Sequence, residues 1–254
     1  MGIMYELARK ASHLRPAHRQ WMARQEAFRR KQDEIDVQVQ AIVGNRVVNG
    51  PFKGMEILHE QSFGAHLSAR LLGTYEQEIL PGLASLLERP VRTVVDVGCA
   101  EGYYAVGLAY RDKRATVYAY DVDPEARRIT AANAAANGAE ARVVVRGLCT
   151  PEELIDVQPE LAIIDIEGGE DDLITAEVAA RTPGTAYIIE CHDFARPGVT
   201  ERLVKRFADR PVEVVPIQER RGVVPPLGDL TLSSMATDEH RNPDSRWLVV
   251  RPAH

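Results

Sequence analysis

Asp96, Gly98 and Gly102, within the stretch VVDVGCAEGYY at positions 94–104, have the types and spacing of a ligand cradle. An apolar run ends in a carboxylate, breaks through two glycines and resumes with helical periodicity, so backbone can run close to a bound molecule at a strand-to-helix turn. A pyrophosphate would require G-x-G-x-x-G, but those places hold Gly98, Ala100 and Tyr103, and a tyrosine at the third obstructs close helix packing. The D-x-G-x-x-x-G spacing instead lets backbone run close to a ligand with no diphosphate, with Asp96 able to accept hydrogen bonds nearby. Asp121 ends the next apolar run, VYAYDVDP, where an acceptor-only carboxylate can receive both hydroxyls of a ribose; its other reading is a solvated turn carboxylate. Val122 beside it, Cys99 in the turn, and Leu148 and Cys149 in RGLCT after the third strand complete the candidate cradle, the last two bordering an adenine. Cys149 reads equally well as a buried thiol. Asp123 before Pro124 reads as a helix N-cap.

A second group sits at the ends of the fourth and fifth strands. Asp165 and Glu167 share one side of a pleat, and Glu190 and His192 share another, with Asp193 next in line. Carboxylates at apolar strand ends are costly without partners, so this polar rim points to chemistry. His192 suits a general base because its reference pKa lies nearest neutrality, with Glu190 or Asp193 available to orient its ring; a lone histidine there also serves as a hydrogen-bonded structural residue. Asp165 suits positioning of a substrate or of a ligand's amino group. The oxygens of Asp165, Glu190 and Asp193 with the nitrogen of His192 also suffice for a divalent cation that lowers a hydroxyl's pKa, and spacing alone does not decide between the two. Glu170, Asp171 and Asp172 read as structural, favoured by the dipole of the helix they open.

Positioning these residues requires strands alternating with helices. After Pro90 the runs 92–97, 115–120, 142–146, 161–166 and 185–190 alternate with helical segments, the pattern of βαβ units and a parallel sheet, and 212–217 and 246–251 are two further strands. Before them, residues 1–44 have helical periodicity interrupted at Pro16, with Trp21, Phe28 and Ile35 at a seven-residue interval on one face, a lid or an oligomer contact. Residues 46–58 predict a β-hairpin around Asn-Gly, and residues 71–87 a helix divided at Pro81 and Gly82. This gives an N-terminal extension of helices and a hairpin over residues 1–89 and a ligand-binding α/β domain over 90–254. Residues 218–244 predict a functional loop, whose Arg220, Arg221 and His240 suit a polar or anionic substrate, and Lys53, Tyr75 and Glu76 can close over the ligand.

With 31 Lys and Arg against 37 Asp and Glu, the 254-residue chain carries a net charge of −6, which lacks the basic footprint of a nucleic-acid binder. The basic N-terminal helix reads as a solvated face. Three widely spaced cysteines in apolar runs suit reduced thiols and a cytoplasmic setting rather than a disulfide framework. No run reaches the roughly 20 apolar residues of a membrane span, and the N-terminus lacks the apolar core of a signal peptide.

The motifs DVGCAEGYY at 96–104, YAYDVDP at 118–124, AIIDIEGGED at 162–171 and IIECHD at 188–193 resemble the class I S-adenosylmethionine (SAM)-dependent methyltransferases, and more narrowly their FkbM-like branch. The likeness runs from about residue 90 to 215. Two departures stand out: Ala100 replaces the middle glycine of the wider class, and Ile164 precedes Asp165 where the branch often has lysine. The resemblance implies a Rossmann-like, seven-stranded, mostly parallel sheet with the last strand antiparallel, SAM as cofactor, and methyl transfer commonly to an oxygen. The expected function is transfer of a methyl group to a hydroxyl of a small molecule, a sugar or secondary-metabolite intermediate. No nucleic-acid or membrane partner is expected, and the N-terminal helices offer a homodimer contact. The competing readings are an NAD-dependent oxidoreductase of Rossmann type and a non-catalytic nucleotide-binding interaction module.

Overall fold

The computed structural model describes residues 16–58, 67–218, 223–239, 241–242 and 244–253, with side chains from residue 30 onward. Seven strands form one sheet: β1 (Thr93–Val97), β2 (Thr116–Tyr120), β3 (Val143–Arg146), β4 (Leu161–Ile164), β5 (Ala186–His192), β6 (Val212–Pro216) and β7 (Ser245–Val250). Their order is β3-β2-β1-β4-β5-β7-β6. The first five run parallel, and β7 lies antiparallel to both β5 and β6. The expected Rossmann-like, mostly parallel sheet is therefore present. Successive residues of each central strand point to opposite faces, and both faces are covered: Val94, Ile163 and Ile188 enter one core, Val95, Ala162 and Tyr187 the other.

Between the strands lie α4 (Tyr103–Arg111), α5 (Pro124–Ala136), α6 (Pro151–Val157), α7 (Glu170–Leu173), α8 (Ala176–Arg181), α9 (Val199–Arg206) and α10 (Leu230–Ala236); α1 (Pro16–Val43), α2 (Leu67–Leu72) and α3 (Leu80–Leu86) precede β1. Local chemistry sets several starts. Asp123 caps α5, its side chain accepting from the Glu125 N–H at 2.7 Å ahead of Pro124, as the sequence predicts. Thr150 and Glu153 form a reciprocal capping box at α6.

Several expectations need correction. The 46–58 segment has a single antiparallel bridge, Arg46 to Glu56, in place of a two-stranded hairpin. The Val48 N–H is taken by the Leu71 carbonyl, and Phe52 is drawn fully into the core over Gly107, where a Cβ would come within 2.6 Å of the ring. The 71–87 segment breaks at Gly73 and Glu76, both in the left-handed region, rather than at Pro81, which sits in the first turn of α3 where no N–H is needed. β5 extends to His192 because β7 pairs along it as far as Ser245, so Glu190 and His192 lie within the strand. Residues 218–244 contain α10, capped by Asp229, which accepts from the Leu232 N–H. Arg220, Arg221 and His240, and the side chains of Trp21 and Phe28, lie outside the described residues. Ile35 is buried with Val39, Leu72 and Ala236, so this face of α1 packs on α2 and α10 within the chain.

No helix among the described residues is long and apolar enough to cross a membrane. Cys99, Cys149 and Cys191 are free and buried, and burial pushes the thiols of Cys149 and Cys191 up to about 12.

Candidate active site

β1 and β4 are neighbours although β2 and β3 intervene in the chain, so the connections leave β1 in opposite directions and open a crevice at the carboxyl ends of the strands. A cleft of about 790 Å³ occupies it. Tyr75, Asp96, Gly98, Cys99, Asp121, Val122, Leu148, Cys149 and Asp165 all line this cleft, which brings together most of the cradle read from the sequence.

The turn after β1 alternates left-handed residues, Gly98 (φ 81°), Ala100 (φ 48°) and Gly102 (φ 85°). Gly98 is required by the protein itself: a Cβ there would lie 1.7 Å from the Asp165 carbonyl oxygen. Gly102 is not among the residues lining the cleft; it caps α4, and a Cβ would meet Thr130 of α5 at 2.9 Å. This pair of glycines therefore serves close backbone packing, and only Gly98 also faces the cleft. Thr130 Oγ1 donates to the Ala100 carbonyl at 2.8 Å and Asn133 Nδ2 to that of Glu101 at 2.9 Å, so α5 clamps the turn.

Asp121 accepts the Ala100 N–H at Oδ2 and the Asp123 N–H at Oδ1, each at 2.9 Å. A carboxylate offers about four lone-pair sites, so the carboxylate that ties β2 to the glycine turn keeps capacity for two hydroxyls. Val122 and Leu148, 71% and 68% exposed, flank this end and leave uncovered apolar surface inside a cleft. Asp96 is buried, its Oδ2 has no hydrogen-bond partner among the described residues, and burial followed by the nearby Asp121 and Glu76 raises its carboxyl to about 7 despite a bond from the Ala105 N–H. A buried carboxylate oxygen without a donor fits a cationic group of a ligand.

Next to the cleft, and sharing Tyr75, Asp165 and Glu167 with it, is a smaller pocket of about 210 Å³ that also takes in Glu190 and His192. His192 is almost fully buried. Its Nδ1 pairs with Glu170 Oε1 at 2.7 Å, and its Nε2 faces Asp165 Oδ1 at 3.5 Å and Glu167 Oε2 and Glu190 Oε1 at 3.6 Å. The ring is thus oriented by Glu170, which reads from the sequence as a helix-opening charge, and by neither Glu190 nor Asp193. Asp193 is bonded instead to Thr200 Oγ1. Burial works against the imidazolium, but the Glu170 bond and the Glu190 charge outweigh it and raise the His192 pKa. Glu170 is held below the usual carboxylate range: burial opposes this, and the bonds from His192 and the Gly168 N–H overcome it. Asp165 is raised well above that range by burial and by the charge of Glu190. Asp171 remains structural, ion-paired with Arg202 and Arg206 of α9, and Asp172 pairs with Arg196.

Glu76, which the sequence offers as closing over the ligand, lines the smaller pocket, whereas Arg241 and Arg70 escape a sequence reading. Glu76 is buried in the left-handed conformation, accepts from Tyr104 Oη at 2.5 Å and pairs with Arg241 at 2.8 Å. Arg241 also pairs with Glu190 and stacks over Trp247. Arg70, buried and ion-paired with Glu101, lines the cleft with its guanidinium 4.8 Å from the Tyr75 ring centre. A lone arginine inside the apolar run LSARLL is the signal that could have found it. Lys53 is exposed and lines neither cavity.

Residues 81–156 match the family model described as the methyltransferase small domain, a stretch that includes the glycine turn, Asp121 and the Leu148–Cys149 corner. A search of curated proteins finds no significant match. Among solved structures, a precorrin 8W decarboxylase from Methanobacterium thermoautotrophicum is 21% identical, with 67% of this chain and 87% of that one covered at a TM-score of 0.47. A precorrin-6y C5,15-methyltransferase from Geobacter metallireducens is 13% identical over 68% and 86% of the two chains, TM-score 0.47. The O-methyltransferase TomG from Streptomyces achromogenes, involved in tomaymycin synthesis and solved with SAM, is 14% identical over 70% and 80%, TM-score 0.47.

Proposed function

We propose that the chain is a SAM-dependent methyltransferase acting on a hydroxyl of a small molecule. The observation that carries the reading is the cleft itself: an orphaned buried carboxylate oxygen on Asp96, two lone-pair sites left on Asp121, and the uncovered Val122 and Leu148 stand in one cavity of about 790 Å³. These answer in turn an ammonium, a pair of ribose hydroxyls and an adenine. The match of residues 81–156 to the methyltransferase small domain supports the same reading. When bound, SAM supplies a methyl carbon made electrophilic by the adjoining sulfonium.

The protein's own work is alignment, exclusion of water and handling of the acceptor proton. Asp96 and Asp121 hold the two polar ends of the cofactor. Tyr75 and Asp165 line both cavities, so they form the boundary across which an acceptor in the smaller pocket meets the larger one. Asp165, Glu190 and His192 together receive the acceptor hydroxyl, and Glu170 fixes the ring of His192 so that Nε2 faces that pocket. A dinucleotide oxidoreductase is disfavoured, since Tyr103 occupies the third glycine's place and its ring packs edge-on against Phe52, 5.2 Å between centroids.

The test is calorimetric titration of SAM and S-adenosylhomocysteine. Asp121→Ala is expected to weaken both by one to two orders of magnitude, from loss of hydroxyl bonds to a charged acceptor of about 1.5–3 kcal/mol. Unchanged affinity removes the ribose assignment, and preference for a nicotinamide dinucleotide removes the reading as a whole.

A further inference from the structure

We propose that Asp165, Glu190 and His192 form a binding site for one divalent first-row transition-metal cation, Mn²⁺ in preference to Mg²⁺, beside the cofactor cleft. The site stands on the cluster's own geometry; that the cation serves methyl transfer rests on the reading above.

Each of the three residues presents one ligand atom, and the three atoms lie within 4.8 Å of one another. His192 Nε2 is 3.5 Å from Asp165 Oδ1 and 3.6 Å from Glu190 Oε1, too far apart for good hydrogen bonds. They are close to the separation of about 3–3.5 Å that two donors adopt around a shared ion at about 2.0–2.2 Å from each. The side chain of His192 is 3% exposed yet, among the described residues, its Nε2 makes no hydrogen bond and the buried Asp165 Oδ1 has no hydrogen-bond partner.

The support behind the ring gives a second, independent observation. Glu170, fully buried and itself anchored by the Gly168 N–H at 3.0 Å, holds His192 by Nδ1 at 2.7 Å. Metal-ligating histidines carry this backing carboxylate, which fixes the tautomer that leaves the other nitrogen free to coordinate. Charge points the same way. Five carboxylates line the pocket, those of Glu76, Asp165, Glu167, Glu190 and Glu239, and Arg241 and His192 are the basic side chains lining it among the described residues. Arg241 neutralises Glu76 and Glu190 from one side, while Asp165 on the other side has, among the described residues, no basic neighbour within ion-pair reach except His192. One nitrogen with two oxygens suits Mn²⁺ better than Mg²⁺ or Ca²⁺, which take oxygen ligands. Glu167, 80% exposed and 3.6 Å from Nε2, can turn in as a further ligand, and remaining positions face the pocket, where a bound cation lowers the pKa of a hydroxyl.

The experiment titrates Mn²⁺ alone into the full-length protein, with and without S-adenosylhomocysteine, by calorimetry and by electron paramagnetic resonance. The expected result is one Mn²⁺ per chain, a pulsed-resonance coupling to a histidine nitrogen, and Mg²⁺ weaker by about tenfold or more. His192→Ala and Glu190→Gln should each weaken Mn²⁺ by about 10–100-fold while S-adenosylhomocysteine affinity changes by less than about two-fold. Absence of Mn²⁺ binding up to about 1 mM, binding without nitrogen coupling, or binding that both substitutions leave intact overturns the site. Loss of S-adenosylhomocysteine binding by the unmodified protein would instead overturn the proposed function, and the Mn²⁺ titration would still judge the cation site.

Discussion

Asp96→Asn is expected to stabilise the cofactor-free protein at pH 8 while weakening SAM. The Asp96 carboxyl is raised to about 7 by burial, against an ordinary value near 3.8. A group whose folded pKa lies above its unfolded one contributes stability fully present below about pH 4, and that stability is lost as pH rises through about 7. A three-unit shift corresponds to about 4 kcal/mol at most, and asparagine, which keeps the bond from the Ala105 N–H, should recover about 2 kcal/mol of it at pH 8 and close to none at pH 4. Cofactor binding has the opposite sign. An ammonium requires the ionised carboxylate, so S-adenosylhomocysteine should bind the unmodified protein about tenfold more tightly at pH 8 than at pH 6, as expected for one proton released through a pKa near 7. The asparagine variant should be flat over that range and weaker by about 10–100-fold at pH 8. Thermal melts and titrations at the two pH values measure both effects, and a variant less stable than the parent at pH 8 would contradict the account of Asp96.

Gly98→Ala is expected to be among the most damaging small substitutions in the chain. Its backbone is left-handed at φ 81°, and the added methyl would fall 1.7 Å from the Asp165 carbonyl oxygen on the neighbouring strand connection. Neither backbone can yield without separating the ends of β1 and β4. A loss of about 3 kcal/mol or more follows, which for a chain of this size lowers the melting temperature by roughly 6–12 °C. Gly138→Ala is the control: φ is 59° there, but nothing lies within 4 Å of the added carbon, so the cost should be about 1 kcal/mol. Equal losses at the two positions would show that the turn has room to relax. Because Asp165 also borders the smaller pocket, a folded Gly98→Ala protein should bind Mn²⁺ less well.

The central sheet was legible because its strands are short β-branched runs bounded by turn residues, and the glycine turn and Asp121 were legible because each requirement is local. The missed features depend on partners distant in sequence. Glu170 follows Gly168 and Gly169 at a helix start, where an acidic side chain already has a local reason to be; its bond to His192 joins residues 22 apart. Arg241 lies in irregular chain before β7 and meets Glu76 across most of the sequence. Glu190 and His192 were placed at a strand end because nothing in IIECHD announces the antiparallel β7 that prolongs β5. The Asn-Gly turn at 49–50 did form a reversal whose arms bond to each other through Val47, Gly54 and Ile57, but Gly50 packs against the Gly73 carbonyl and the Val48 N–H is given to Leu71, which limits the pairing to one bridge. In each case a tertiary contact overrode or supplemented a correct local preference.

The two cavities draw on different parts of the chain. The end of the larger one lined by Gly98, Asp121 and Leu148 is built at the tips of β1, β2 and β3, whereas the far wall of the smaller one, with Glu239, Arg241 and Asn242, comes from the connection between β6 and β7. On the proposed function, a chimera carrying another protein's β6–β7 segment, with Ala236 and Arg241 kept for their contacts to Ile35, Glu76 and Glu190, is expected to change acceptor preference while retaining the inherited nucleoside grip.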